Sequence, residues 1–182
     1  MTNIGESLKN VLNTVVDDEP KNPLHVGEVM NLWTYLTMLE EANRFVEIAL
    51  NTTTDEELIE VLRHSWGDCH KQVKQIKTLF TKEGVSLPPT SEPKPKSEPN
   101  DIPLGVKLTD DEIANGVVMK LVSAISLCGV GLSQSLRTDI GAMWYDFLNV
   151  RVKFSGYYMP IMRKRGWIKV PPYYVPNGRP DK

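Results

Sequence analysis

An all-α protein, an antiparallel four-helix bundle, is the fold that this 182-residue sequence predicts. Three observations carry that expectation. Apolar residues recur in alternating three- and four-residue steps through four long segments, the spacing that gathers them on one helical face. Prolines avoid those segments, with none between Leu24 and Leu87 and, after Leu104, none before Pro160. Six prolines crowd positions 88–103 instead, where a helix cannot persist. The composition, 41% hydrophobic and 24% charged, supports one domain with a sizeable core and excludes a collagen-like or wholly disordered chain.

The first helix is expected over 25–51, with Val29, Leu32, Leu36, Leu39, Asn43, Val46 and Leu50 as its seam. Asn51 and three threonines end it. Thr54, with Glu57 three residues on, has the pattern of a capping box opening a second helix over 55–83. Its seam is Ile59, Leu62, Trp66, Cys69, Val73, Ile76 and Phe80, and Gly84 stops it. Two helices this long with so short a joint lie antiparallel. The linker 85–108 holds the Pro-rich run, whose roughly sixteen residues reach ~50 Å when extended at ~3.1 Å each. A helix of about 28 residues is ~42 Å long. The run can therefore cross the whole bundle, as in ferritin-type folds, or bulge between adjacent helices.

Thr109 and Glu112 form a second capping box before a third helix over 109–136, with seam Ala114, Val118, Leu121, Ile125, Cys128 and Leu132. Small residues fill its other positions: Ser123, Ala124, Ser126, Gly129, Gly131 and Ser133. They would admit close neighbours and make this the most central helix. The fourth, over 138–165, uses Ile140, Met143, Phe147, Val150, Phe154, Tyr157 and Ile161; Pro160 should kink its last turns and Gly166 ends it. Residues 24–175 thus form the bundle. Residues 1–23, including amphipathic Ile4–Val16, read as an arm or short helix, and 176–182 as a flexible tail.

The net charge of −2 conceals an asymmetry. Residues 1–136 carry 12 basic and 20 acidic side chains, whereas 137–182 carry nine basic and three acidic. An acidic body with a basic end can associate head to tail or hold its own end against its own bundle. The adjacent Arg163, Lys164 and Arg165 suit a helix C-terminus, so no nucleic-acid partner is expected. No membrane partner is expected either, since no apolar run approaches the ~20 residues of a spanning helix and no signal peptide is visible. Cys69 and Cys128 lie on apolar faces, as reduced core thiols of a cytoplasmic protein or as an internal disulfide.

Catalytic and metal chemistry find little footing. A di-metal bundle needs two Glu-x-x-His pairs and two further inward glutamates, and no Glu-x-x-His occurs. Glu40, Glu41, Glu47, Asp68, Asp139 and Asp146 fall beside the seams. His64 and Asp68, four apart, read as a surface pair, or with a third ligand as a mononuclear site; His70 borders Trp66 and His25 precedes the first helix. There is no nucleophile elbow and no phosphate or dinucleotide loop, and Gly129-Val130-Gly131 is mid-helix packing. Asn43 is a buried amide expected to fix helix register by hydrogen bonding. Neither catalytic residues nor a cofactor is expected.

Positions 144–174 hold nine of the fourteen aromatics. Trp167, Pro171, Pro172, Tyr173 and Tyr174 make a rigid apolar end that folds back on the bundle or anchors a partner.

Four short motifs in order, Leu32-Trp33 with Tyr35, Lys82-Glu83-Gly84-Val85 with Leu87-Pro88-Pro89, Arg137-Thr138-Asp139-Ile140, and Arg165-Gly166-Trp167 with Pro171-Pro172, resemble an uncharacterised ferritin-like four-helix family of spore-forming bacilli. Its members are often labelled putative spore coat proteins. The resemblance spans residues 24–175 and brings no catalytic residues with it. It implies a non-enzymatic structural or interaction protein, cytoplasmic or in the spore coat, that self-associates as a homodimer or meets other coat proteins. The alternative is a ferritin-like binder of a metal or small ligand with a degenerate site.

Overall fold

The computed structural model describes residues 22–174; the expected N-terminal arm around Ile4–Val16 and the tail 176–182 lie outside the described residues. Four helices account for the fold: α1 (Val26–Leu50), α2 (Glu56–Glu83), α3 (Asp110–Gln134) and α4 (Thr138–Lys164), with a single 3-10 turn at Pro99–Asp101 and no strand among the described residues.

The Pro-rich segment crosses the full length of the bundle along α1. Ser91 Oγ donates to Glu41 at 2.9 Å, the Lys94 amide to Glu47 at 2.8 Å, and Asn51 Nδ2 to the Pro95 carbonyl at 2.8 Å. At the far end Thr53 Oγ1 donates to Asp110 at 2.6 Å and α3 begins. α3 returns beside α1, where Asn31 Nδ2 donates to Gln134 Oε1 at 2.9 Å. Arg137 then pairs with Glu83 at the end of α2, and Lys164 with Glu57 at its start. α1 and α4 therefore run one way, α2 and α3 the other. Each helix packs against two antiparallel neighbours, the connectivity that one long crossover gives a ferritin-type bundle.

Local chemistry sets the helix ends. His25 caps α1 through Nδ1, which accepts from the Gly27 amide at 3.1 Å, while Glu28 reaches back to the His25 amide at 2.9 Å. Thr109 and Glu112 close the same reciprocal pair on α3. For α2 the cap is Asp55, not Thr54: the Asp55 carboxylate accepts from Leu58 N at 2.9 Å, and Thr53 is drawn aside to Asp110. Gly84 and Gly166 adopt φ of 71° and 70°, and the amides just beyond them bond back to Phe80 and Met162. α4 continues through Pro160 to Lys164.

The core divides along the bundle axis into one half around Leu36, Ile76, Trp144 and Phe147 and another around Leu62, Ile113, Phe154 and Tyr158. Three seam assignments require correction. In α4 the inward row runs Ile140, Trp144, Phe147, Arg151, Phe154, Tyr158, Met162, so Met143, Val150, Tyr157 and Ile161 stand one position off it. In α2 Leu58 displaces Ile59, and Trp66 turns outward to stack on His70, ring centres 4.8 Å apart. In α3 Val117, Ala124 and Gly131 face inward where Val118, Ile125 and Leu132 are expected, and the helix is no more central than its neighbours. It touches α1 and α4, and Ser123, Ser126, Gly129 and Ser133 face solvent while Ala124 and Gly131 face in.

The membrane expectation also shifts for α3. Asp110–Gln134 is long and apolar enough to cross a bilayer, with a third of its most apolar stretch buried inside the bundle. Valine, leucine and isoleucine supply that character, and the serines, glycines and Lys120 set among them are why no solid apolar block shows in the sequence.

Candidate functional site

The polar feature of the interior is Arg151. The α4 periodicity carries it into the seam between Phe147 and Phe154, and it is 3% exposed. Its Nε donates to the Tyr35 hydroxyl of α1 at 3.3 Å, and Nη2 donates to Gln72 Oε1 of α2. Tyr35 itself donates to Gln72 Oε1 at 2.9 Å. The Cys69 thiol lies against the guanidinium and the Cys128 thiol against the Tyr35 hydroxyl, so side chains from all four helices meet here. Both cysteines are free and buried, so the disulfide option falls.

Burial works against the charge on Arg151, but Cys69 and the Tyr35 hydroxyl favour it, and the balance holds its pKa above the ordinary arginine value. Burial pushes the Tyr35 hydroxyl up, with Arg151 pulling against it, and raises the Cys128 thiol. Gln72 Nε2 and Trp144 Nε1 are buried without a hydrogen-bond partner. Gln72 turns its carbonyl to two donors and leaves its amide group unused. Asn43 is buried as expected, yet its carbonyl oxygen meets no donor, so the register-fixing bond foreseen there is missing.

The histidines stand apart from this centre. His64 is exposed and faces Asp68 at 3.5 Å, with its ring edge-on to Phe154. His70 stacks on Trp66, and His25 is spent on its cap. Among the described residues no three His, Cys, Asp or Glu side chains converge as a metal site would require. Of the flanking carboxylates, Glu40 is buried and paired with Lys77. Glu28, which the sequence did not single out, is 2% exposed and accepts from the amides of Leu136 and Arg137 at 2.9 and 2.8 Å, tying α1 to the α3–α4 turn.

At the C-terminal end the basic residues are held on the protein's own bundle. Arg165 pairs with Asp55 and Glu57, and Lys169 with Asp111 at 2.7 Å. Trp167 and Ile168 pack on the core, and Asn115 Nδ2 donates to the Trp167 carbonyl at 3.1 Å. Pro171, Pro172, Tyr173 and Tyr174 are exposed, the two tyrosines at 89% and 88%. The expected interaction surface is thereby split, with Trp167 turned in and the other four turned out.

A second unpartnered surface runs down α3. Met119, Val122, Ser126, Gly129 and Ser133, with Leu136 beyond the helix end, lie in three- and four-residue steps on its solvent side. Between Ile113 and Gln134 the one charged residue is Lys120, whose ammonium sits over the Phe45 ring of α1, 4.9 Å from its centre.

These features define an all-α four-helix bundle with an arginine-centred polar interior and a charge-poor outer helix. The chain belongs to the DUF3231 family of proteins of unknown function, whose pattern matches residues 15–179. The uncharacterised protein YvdQ of Bacillus subtilis is 30% identical over 153 residues, covering 84% of this chain and 90% of YvdQ. A crystal structure described as a putative spore coat protein of Bacillus halodurans superposes with a TM-score of 0.82 at 29% identity, over 85% of this chain and 97% of the other. A DUF305 fragment of Deinococcus radiodurans shares the fold alone, with a TM-score of 0.62 at 11% identity, over 79% of this chain and 99% of the fragment.

Proposed function

We propose that the protein is a non-enzymatic structural or interaction protein of the spore coat that works by self-association. The observation that carries this reading is the outer face of α3. An exposed helix face of this length without a charge is unusual on a solitary soluble protein. Its small centre, Ser126 and Gly129, lets an identical helix approach closely, and the larger Met119 and Leu136 at either end suit a two-fold, self-complementary contact. Exposed Pro171, Pro172, Tyr173 and Tyr174 offer a separate, rigid aromatic anchor for other coat proteins. The similarity to the Bacillus halodurans protein supports the coat assignment.

Size-exclusion chromatography with light scattering tests the association. The expected mass is twice the 20.6 kDa of one chain or more, falling to a single chain when Ser126→Glu and Gly129→Glu are combined. A 20.6 kDa species alone, at both low and high salt, refutes it. Fractionation of spores tests the location: recovery outside the coat fraction refutes the coat assignment while leaving the dimer standing.

A further inference from the structure

We infer that the outer face of α4 is a docking surface for residues 4–16 of its own chain, which lie along it antiparallel to the helix. The row Ala142, Tyr145, Asn149, Val152 and Gly156 follows three- and four-residue steps on the side of α4 turned away from the core. The charged residues between Asp139 and Arg163 are Asp146, Arg151 and Lys153, and none of them stands on this row. The outer side of α2, by contrast, carries exposed Arg63, Lys71, Lys74 and Lys82. A helix row without charge ordinarily faces a neighbour. There is room for one here: Val152 is 53% exposed, and a Cβ built on Gly156 meets nothing within 4 Å.

Tether, length and charge name the occupant. The described chain begins at Asn22, whose carbonyl accepts from Arg137 Nη1 at 3.1 Å, and Arg137 is the residue that opens α4. Residues 17–21 add at most ~18 Å when extended, which delivers Val16 to the Ala142 end of the row. In residues 4–16 Ile4, Leu8, Val11 and Val15 share one helical face, with Glu6 and Lys9 opposite. As a helix the segment measures ~20 Å, against ~21 Å from Ala142 to Gly156. In that placement Asp17, Asp18 and Glu19 fall at the N-terminal end of α4, where the helix dipole favours carboxylates. The Arg137 side chain makes no capping bond there, whereas His25, Asp55 and Thr109 cap the other three helices. So short a tether keeps the segment at an effective concentration on the order of millimolar above its own α4, ahead of the same segment from a second copy. The inference uses no residue of the α3 face and stands whether or not copies pair through it.

Hydrogen exchange of the full chain, read peptide by peptide in a mass spectrometer, tests the packing. The amides of residues 4–16 should exchange roughly tenfold or more slowly than in a synthetic peptide of the same residues, and equally so at high and low protein concentration. Val152→Glu sets an unpaired charge beneath the segment and should return those amides to the peptide rate while α1–α4 keep their protection. Gly156→Glu repeats the test at a position with open space above it, where the change also favours the helix and so spares α4. Met119→Glu, on the outer side of α3, should leave residues 4–16 protected. Exchange of residues 4–16 at the peptide rate in the unaltered protein overturns the inference, and so does protection that survives both Val152→Glu and Gly156→Glu. Protection that fades on dilution or in Met119→Glu overturns it as well, because a second copy would then be the cover.

Discussion

Two glycines two residues apart on α3 give opposite predictions for the same substitution. A Cβ built on Gly131 would stand 2.2, 2.4 and 2.6 Å from three atoms of the Trp144 indole, whereas one on Gly129 meets nothing within 4 Å. Ordinary carbon contacts begin near 3.5 Å, so the indole would have to retreat by more than an ångström. It cannot do so freely: Trp144 is fully buried, with Tyr35 edge-on at 5.1 Å and Phe147 at 6.0 Å. Both positions are helical, so both alanines gain up to ~1 kcal/mol in helix propensity over glycine. That gain cancels in the comparison and leaves the displacement of the indole, about 1–3 kcal/mol for an overpacked core and more if the ring is trapped. In a Ser126→Glu background, where copies do not pair, Gly129→Ala should therefore raise the urea midpoint slightly, and Gly131→Ala should lower it. At roughly 2–4 °C per kcal/mol for a chain this size, the two should differ by several degrees in Tm. Near-ultraviolet circular dichroism should report the indole shift in Gly131→Ala alone. Equal stability of the two variants would refute the close packing of α3 on α4.

The Glu28 carboxylate is the buried acceptor for the Leu136 and Arg137 amides, so Glu28→Ala should cost roughly 1–3 kcal/mol through the donors it strands, read as a lower urea midpoint with unchanged m. Hydrogen bonds from Lys164 and Arg165 hold the Glu57 pKa below its ordinary value, and the Thr109 amide and hydroxyl do the same for Glu112. A carboxylate depressed in the folded state binds fewer protons there than in the unfolded chain. Its contribution is present above the unfolded pKa and is lost as pH falls through the folded one. Stability should fall on acidification from the ordinary glutamate range downward, and Glu57→Gln should flatten that limb, as Tm against pH would show. Elemental analysis of the purified protein should find no stoichiometric iron, manganese or zinc, and chelation should leave Tm unmoved; a metal at one per chain would overturn the structural reading.

The four helices and the long crossover were legible because each rests on a signal repeated many times, the apolar period on one side and proline crowding on the other. What the sequence blurred was rotation about each helix axis. In α4 the rows Ile140-Met143-Phe147-Val150 and Ile140-Trp144-Phe147-Arg151 share two members, and hydropathy alone favours the first because it contains no charge. Packing chooses the second, since the large Trp144 ring fits where Gly131 leaves a gap, and once Trp144 is inside Arg151 follows about two turns later on the same face. The outward turn of Trp66 has a similar origin. The crossover covers one side of α2 and lets an indole lie half-exposed beside Lys94 and Lys96. That cover leaves no trace in the local apolar period, because the covering residues are distant in sequence.

The same choice of row explains why the interior site stayed hidden. A search for buried chemistry looks for acids and imidazoles, and in this bundle those are at the ends and on the surface: Glu28 as a tie, Glu40 with Lys77, His64 with Asp68. The middle is cationic instead. Tyr35 and Gln72 gave a weak hint, one apolar position with a hydroxyl and one polar position in an apolar row, on adjacent antiparallel helices. Their oxygens supply two acceptors for a guanidinium, and they do not supply a negative charge. A bundle stabilised by packing alone would do as well with leucine at 151, at lower cost in desolvation. The arginine therefore asks for an explanation other than packing, and its fork onto Tyr35 and Gln72, which ties three helices at one level, is one that double-mutant cycles among positions 35, 72 and 151 can decide.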